Sequence, residues 1–257
     1  MRDVLEAVAR GELTPEAAEA ELRGYATTES GRFDAAREGR RGIPEAILAE
    51  GKTPDEVADL STTALETTGR AVVTRAGRDV VEAVRTAVVD GGHDADFDRD
   101  ARARTLVVRE DGGEPPEVDA TVAVVSAGTA DAAAAGEAAV IAREIGARVE
   151  RVDDVGVANL TRFVDVLDDV RAADVVVVAA GREGALPTVV AGLVDAPVIG
   201  LPVSSGYGVG GDGEAALYGM LQSCTVLSVV NVDAGFVAGA QAGLVARAAD
   251  AGRRTDS

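Results

Sequence analysis

The chain has 257 residues, and its 25 Lys and Arg residues against 44 Asp and Glu residues give a formal net charge of -19, which makes nucleic acid a poor partner. Acidic residues are spread along the whole chain and Lys52 is its only lysine, a pattern typical of proteins adapted to high salt. One cysteine and one histidine exclude an intramolecular disulfide and a Cys/His zinc site.

The N-terminal part of the chain is predicted to contain short helices joined by a basic segment. Its first residues include no apolar leader segment, and no apolar run reaches the ~20 residues of a membrane span, so we expect a cytoplasmic protein. Thr14 and Thr53 each precede a proline and are placed to cap a helix, and Glu56 completes a capping box at the second. Residues 32–52 concentrate arginines, which suits either a solvated helix face or an anion-binding arm.

From Ala71 the apolar pattern alternates between strand and helix. It predicts a strand at 71–75, a helix at 79–90 and a strand at 103–110. His93 falls in a polar stretch that predicts a solvated loop. The Gly/Pro/acidic segment 111–119 predicts a boundary between a smaller N-terminal α/β region, 1–116, and a second domain, 117–257.

The second domain shows five strand-then-helix units with nearly continuous apolar strands. This rhythm predicts an α/β fold, a three-layer doubly wound parallel sheet with helices on both faces. Functional groups in such sheets lie at the carboxyl ends of the strands. The segments to inspect there are SAGTAD, VGVAN, AGREGALP, PVSSGYGVGG and NVDAGF.

Two of these strand-end segments could hold an anion. Gly206 to Gly211, GYGVGG, matches a dinucleotide-binding pattern formally, but it lies in the fourth unit, which favours a close-approach or mobile loop instead. Ser126, Thr129 and Asp131 offer hydroxyls and a helix start, which serve either an anion site or a helix cap.

Glu183 and Cys224 are the candidate catalytic side chains. Glu183 follows a strand in a glycine-flanked turn, where a carboxylate could transfer protons or simply be solvated. Cys224 comes at the end of a predicted helix, where the negative end of the helix dipole disfavours a thiolate. The residues alone leave open whether this thiol is a nucleophile or a small apolar residue.

The ordered series of motifs resembles the LarB family, carboxylase/hydrolases of nickel-pincer cofactor biosynthesis. The similarity spans about Arg23 to Arg247, and its most telling segments are DAAREGRRGIPEAILAEGKTPDEV, SAGTAD, DVGVANLTRF, AGREGALPTVV, LPVSSGYG, ALYGMLQSC and VVNVDAGFVAGA. The C-terminal part also resembles the PurE family, which carboxylates aminoimidazole ribonucleotide. Two positions depart from the LarB pattern: VGGDGE follows GYG, and Ala130 stands where serine is usual.

The LarB resemblance implies a PurE/flavodoxin-like fold and a specific reaction. Nicotinic acid adenine dinucleotide, CO₂ and water would give pyridinium-3,5-biscarboxylic acid mononucleotide and AMP. A pyridinium ring does not attack CO₂, but addition of a thiolate turns it into an enamine with a nucleophilic carbon. The LarB resemblance implies no tightly bound cofactor, with Mg²⁺ as an option, and the PurE resemblance implies a homo-octamer.

The same resemblance assigns roles to residues. Cys224 would be the nucleophile, Glu183 would transfer the proton, and Asp34 would position water or a metal for hydrolysis. Arg37, Arg41 and Lys52 would bind the phosphates of the dinucleotide. The remaining substrate-binding positions would be Ser126, Gly128, Thr129, Asp131, Gly184, Ala185, Ser205, Gly206 and Gly208.

Two other functions stay open at this point. A PurE-like aminoimidazole ribonucleotide carboxylase or mutase would need an active-site histidine, and the only histidine here, His93, lies outside the sheet domain. A non-catalytic nucleotide-binding module would leave Cys224 as a packing residue.

Overall fold

The computed structural model describes residues 2–206 and 208–255. The chain packs into two units, Met1–Glu114 and Pro115–Ser257. The sequence had placed the boundary after residue 116.

The first unit is a small α/β structure built on a four-stranded mixed sheet of order β3-β4-β6-β5. The strands β3 and β4 are parallel, whereas β4 and β5 both pair antiparallel with β6. The elements of the unit are α1 (Arg2–Ala9), α2 (Pro15–Arg23), β1 (Ala26–Thr27), β2 (Arg32–Phe33), α3 (Arg37–Arg41), β3 (Ala46–Leu48), α4 (Pro54–Thr68), β4 (Arg70–Thr74), α5 (Arg78–Asp90), β5 (Ala95–Asp100) and β6 (Thr105–Glu110).

The helices of this unit begin where their capping residues predict. Thr14 caps α2, and Thr53 and Glu56 form the capping box of α4. The helices α4 and α5 bury their apolar stripes against the sheet, around Leu65, Val84 and Leu106.

The polar stretch around His93 was predicted as a solvated loop. Residues 91–94 form that loop, but the prediction was wrong for Ala95–Asp100 and for the solvation of His93. Residues Ala95–Asp100 form the edge strand β5, whose aspartates at alternate positions face solvent and discourage pairing with another chain. The His93 side chain is only 16% exposed, and its Nδ1 lies 2.5 Å from Glu110 Oε1. The alternation in this strand is short, with only Ala95 and Phe97 packing on the core among charged residues, so the sequence pattern missed it.

The second unit is the predicted doubly wound sheet. Its five strands are all parallel in the order β11-β10-β9-β7-β8, the flavodoxin-like arrangement. The elements are β7 (Thr121–Ser126), α6 (Ala132–Glu144), β8 (Arg148–Val152), α7 (Thr161–Val164), α8 (Leu167–Arg171), β9 (Val175–Ala180), α9 (Ala185–Ala191), β10 (Val198–Pro202), α10 (Glu214–Leu221), β11 (Ser228–Val229) and α11 (Gly235–Thr255), with 3-10 turns at Thr129–Asp131 and Val157–Asn159.

Helices cover both faces of this sheet, which confirms the three-layer prediction. The helices α6 and α11 pack on one face through alanines, and the other face is covered by α7 to α10 around Phe163, Leu186 and Met220. The helices α6 and α11 pack unusually close together. Gly239 allows this contact, since a Cβ at this position would come 2.3 Å from the Ala138 carbonyl oxygen.

The strand order places a crevice at one point of the sheet. The chain goes from β7 outward to β8 and then returns to β9 on the other side of β7, so the loops after β7 and β9 diverge.

Within the described residues, no helix combines the length and the apolar character that a membrane span requires.

Candidate active site

A cavity of about 590 Å³ opens at this crevice, beyond the carboxyl ends of β7, β8 and β9. Its volume is in the range of about 300–1,000 Å³ that small-molecule sites occupy. The residues that give it chemical character are Gly128, Thr129, Asp131, Asp154, Arg162, Arg182, Glu183 and Ser205.

Hydrogen bonds between strand-end loops give the cavity its shape. Ser126 Oγ donates to Asp153 Oδ1 at 2.8 Å, which joins the loops after β7 and β8. Asp131 Oδ1 accepts from Ser205 Oγ at 2.7 Å, which joins the loops after β7 and β10. Asp233 Oδ1 accepts from the Ser204 N–H at 3.0 Å and extends the series to the loop after β11.

Glycines allow the loop after β9 to lie against its neighbours. A Cβ on Gly181 would come 2.3 Å from Ser205 Oγ. Gly184 has a φ of +64° and its added Cβ would come 2.6 Å from the Ala216 carbonyl oxygen of α10. Both positions therefore require glycine, and together they fix Glu183 at the rim of the cavity.

The predicted strand-end residues do not all face the cavity. Gly128, Thr129, Asp131, Ala185 and Ser205 line it. Ser126 is fully buried at the end of β7, and its hydroxyl donates a hydrogen bond to Asp153. It therefore stabilises the loops but does not line the cavity. Gly206 and Gly208 are not among the lining residues.

Arg162 is a site residue that the sequence interpretation missed. Its Nη1 lies 3.0 Å from Asp154 Oδ2, and its Nε is buried and has no hydrogen-bond partner among the described residues. A guanidinium that lines a cavity with a buried, unused donor is suited to bind an anion such as a phosphate. Its position in DVGVANLTRF, a segment of the LarB resemblance that begins at a strand end, was the available signal.

Arg182 was also missed, although it precedes Glu183 in AGREGALP. It lines the cavity with a φ of +53°, a left-handed conformation that costs free energy in a residue with a Cβ. Two guanidinium groups thus lie at the rim of a cavity in a chain that is otherwise strongly acidic.

Cys224 lies outside this cavity, in the segment that follows α10. It is exposed, three residues beyond the last helical residue, Leu221. Its neighbour Ser223 accepts a hydrogen bond from Thr188 Oγ1 of α9 at 3.0 Å.

Glu183 and Cys224 lie at opposite ends of the layer formed by α9 and α10. Glu183 precedes α9, and its carbonyl oxygen would be 2.3 Å from a Cβ on Gly219 of α10. The seven residues of α9 span roughly 10 Å, and Ser223, the neighbour of Cys224, contacts Thr188 in the middle of this helix.

The predicted residues of the basic arm lie in the first unit, where acidic partners surround them. Arg37 Nη1 pairs with Glu45 Oε2 at 2.7 Å, and Arg40 pairs with Asp34 Oδ2 at 2.7 Å. Asp34 Oδ1 is buried and has no hydrogen-bond partner among the described residues.

The other two cations of this arm are exposed. The Lys52 ammonium donates to the Leu48 carbonyl oxygen at 2.7 Å, and Arg41 makes no ion pair within the described ranges. Of the arm residues, Arg41 is therefore the one whose charge is most available to a ligand.

Comparison with known proteins identifies the family. Residues 25–110 match the LarB/PurE-like N-terminal domain family, and residues 121–254 match the AIR carboxylase family. The chain belongs to the LarB family. Its two domains occur in the expected order, and the C-terminal one is PurE-like.

A relative of the chain covers nearly its whole length. An uncharacterized protein of Methanocaldococcus jannaschii is 32% identical over 254 residues, which is 96% of this chain and 97% of that protein. The LarB family assignment and the PurE-like domain make this protein a carboxylase-type enzyme.

We expect Arg162→Gln to weaken the binding of phosphate-bearing ligands. The variant keeps a polar side chain but shortens it and removes the charge, and a charged hydrogen bond is worth about 1.5–3 kcal/mol, or roughly a tenfold to hundredfold loss of affinity. Isothermal titration with nicotinic acid mononucleotide and with inorganic phosphate, at one fixed salt concentration, measures this loss.

Arg143→Gln is the matched control, because Arg143 is exposed in the last turn of α6 and away from the cavity. We expect this variant to bind both ligands as the wild type does. Equal affinities of wild type and Arg162→Gln would contradict the assignment.

Proposed function

We propose that this LarB-family carboxylase converts nicotinic acid adenine dinucleotide, CO₂ and water into pyridinium-3,5-biscarboxylic acid mononucleotide and AMP. The observation that supports it best is the arrangement of Glu183 and Cys224 around the α9–α10 layer, next to a cavity lined by arginines. A pyridine nucleotide bound with its phosphate in the cavity would extend its ring past Glu183 towards Cys224.

The carboxylation would proceed through a covalent adduct of Cys224. The thiolate adds to carbon 4 of the pyridinium, a C–S bond forms, and the displaced electron pair moves to the ring nitrogen. The resulting enamine attacks CO₂ through carbon 5. Glu183 then takes the proton from carbon 5, and the nitrogen electron pair expels the thiolate, which restores the aromatic ring.

The hydrolysis is a separate step, in which water attacks the phosphoanhydride. Asp34 is our candidate for positioning that water, because its Oδ1 is buried and available as an acceptor. Arg41 and Lys52 would bind the phosphates. No group of three or more His, Cys, Asp or Glu side chains in the described part of the chain could hold a metal ion.

An aminoimidazole ribonucleotide carboxylase is the second candidate, supported by the match of residues 121–254 to the AIR carboxylase family. The only histidine, His93, lies in the first unit and is bound to Glu110, so this cavity has no histidine for that chemistry. We therefore expect no carboxylation of aminoimidazole ribonucleotide.

A product assay tests the proposal. We expect wild-type protein with the dinucleotide and bicarbonate in high salt to release AMP and the dicarboxylated mononucleotide, both detected by mass spectrometry. Cys224→Ala should form no dicarboxylated product, because it lacks the nucleophile. Glu183→Gln should carboxylate at least about 10²-fold more slowly.

The control for the glutamate variant is Glu150→Gln, which changes an exposed carboxylate on the edge strand β8. Its rate should equal that of the wild type. Full dicarboxylation by Cys224→Ala would contradict the covalent mechanism, and turnover of aminoimidazole ribonucleotide alone would favour the second candidate.

We also propose that the protein is a homo-octamer. Three large apolar side chains near Cys224 are strongly exposed: Tyr218 at 59%, Leu221 at 60% and Val226 at 95%. A second copy that covers them would remove apolar surface from water and would shield the thiol.

Light scattering in high salt should give a mass near eight times 26.0 kDa. Leu221→Asp should lower that mass, because it places a charge in the apolar contact, whereas Asp165→Asn, an exposed change on the α7 side, should not. A single-chain mass for the wild type would contradict the octamer.

A further inference from the structure

Asp131 is a buried carboxylate at the centre of the strand-end loops. It lies in the 3-10 turn between β7 and α6, and it is only 4% exposed. The LarB resemblance had suggested that it binds the ribose or phosphate of the substrate. Its contacts point to a different role.

The carboxylate of Asp131 is occupied by donors from three loops. Oδ2 accepts the Gly128 N–H at 2.8 Å, within the loop after β7. Oδ1 accepts the Ser205 hydroxyl at 2.7 Å, from the loop after β10. The backbone N–H of Gly181, at the start of the loop after β9, donates to the same carboxylate.

We propose that Asp131 is a positioning residue, which keeps the loops after β7, β9 and β10 in register around the cavity. A negative charge at the cavity wall repels a phosphate, and protein donors already use three of the roughly four acceptor positions of the carboxylate. The kinetic part of this inference rests on the proposed function, whereas the structural part does not.

The loops that Asp131 joins carry functional residues of the site. Gly181 immediately precedes Arg182 and Glu183, which line the cavity. Ser205 precedes Gly206, whose added Cβ would come 3.2 Å from the Arg182 backbone nitrogen. A shift of Asp131 would therefore move the arginine, the glutamate and the start of the glycine-rich loop together.

Burial raises the pKa of Asp131, the negative charge of Asp233 adds to this rise, and the hydrogen bonds from Ser205, Gly128 and Gly181 oppose it. The folded protein thus binds a proton more readily than the unfolded chain does. Ionised Asp131 costs folding free energy, and this cost grows as pH rises from the ordinary aspartate pKa through the raised one. The other titratable groups at this edge are Asp153, Asp154, Arg162, Arg182, Glu183 and Asp233.

Asp131→Asn separates positioning from simple stabilisation. The amide of asparagine has one acceptor oxygen, so it cannot accept hydrogen bonds from both the Gly128 side and the Ser205 side. Its NH₂ group would then face a backbone or hydroxyl donor on the other side. The variant also removes the buried charge. Relative to this variant, the wild type should gain stability as pH falls through the pKa of Asp131, measured by chemical unfolding at several pH values.

Hydrogen exchange measured by mass spectrometry gives the deciding readout without any substrate. In Asp131→Asn we expect faster exchange in residues 181–184 and 203–213, with the strands of the sheet unchanged. Asp195→Asn, which changes an exposed carboxylate before β10, should leave exchange as in the wild type. Unchanged exchange in both loops of Asp131→Asn would overturn the proposal.

Ser205→Ala is the second variant, which keeps the carboxylate and removes one donor. It should speed exchange in 203–213, so the proposal stays testable if Asp131→Asn fails to fold. Unchanged exchange in this loop of a folded Ser205→Ala would also overturn the proposal.

Kinetics add an independent readout. If the enzyme carboxylates the dinucleotide, Asp131→Asn should lower kcat roughly 100-fold through misplacement of Glu183, with a small change in KM. Asp131→Glu should not restore the rate, because another methylene would move the carboxylate away from the Gly128 N–H and the Ser205 hydroxyl. If Asp131→Asn loses much of its affinity for the dinucleotide while hydrogen exchange in both loops stays normal, Asp131 binds the substrate directly. Absence of turnover by the wild type would refute the proposed function but not the positioning role of Asp131.

Discussion

The cavity depends on one constraint: five loops that leave the carboxyl edge of a parallel sheet must be fixed to one another by their own polar groups. Asp131 is the centre of that arrangement, because its carboxylate accepts hydrogen bonds from the loops after β7, β9 and β10. Ser126 and Asp233 extend the connections to the outer loops. Burial of the Asp131 carboxylate costs free energy because its charge is desolvated. The same desolvation raises the pKa of Asp131.

The second determinant of the site is the close contact between α9 and α10. Gly184 and Gly219 let the backbones of these helices meet at the Glu183 turn. The same contact sets the direction in which α10 runs, and hence where Cys224 emerges after it. The glutamate and the thiol therefore belong to one packed layer, although the cavity itself includes only the glutamate.

The sequence predicted the architecture of the second unit well, because apolar strands and amphipathic helices alternate five times with turn residues between them. The capping threonines located α2 and α4 for a similarly local reason. The edge strand β5 escaped prediction because its two apolar side chains, Ala95 and Phe97, alternate over a very short span among charged residues. Pairing of side chains between loops has no period along the chain, so the roles of Arg162 and of the Ser126–Asp153 contact became visible only in three dimensions.

The proposed carboxylation depends on a covalent bond between Cys224 and the pyridine ring. Rapid acid quench of the wild-type enzyme during turnover, followed by intact-protein and peptide mass spectrometry, can detect this bond. We expect a transient mass increase of a pyridine nucleotide, located on the peptide that contains Cys224. Accumulation of dicarboxylated product while Cys224 stays unmodified, and while its alkylation leaves the rate unchanged, would contradict it.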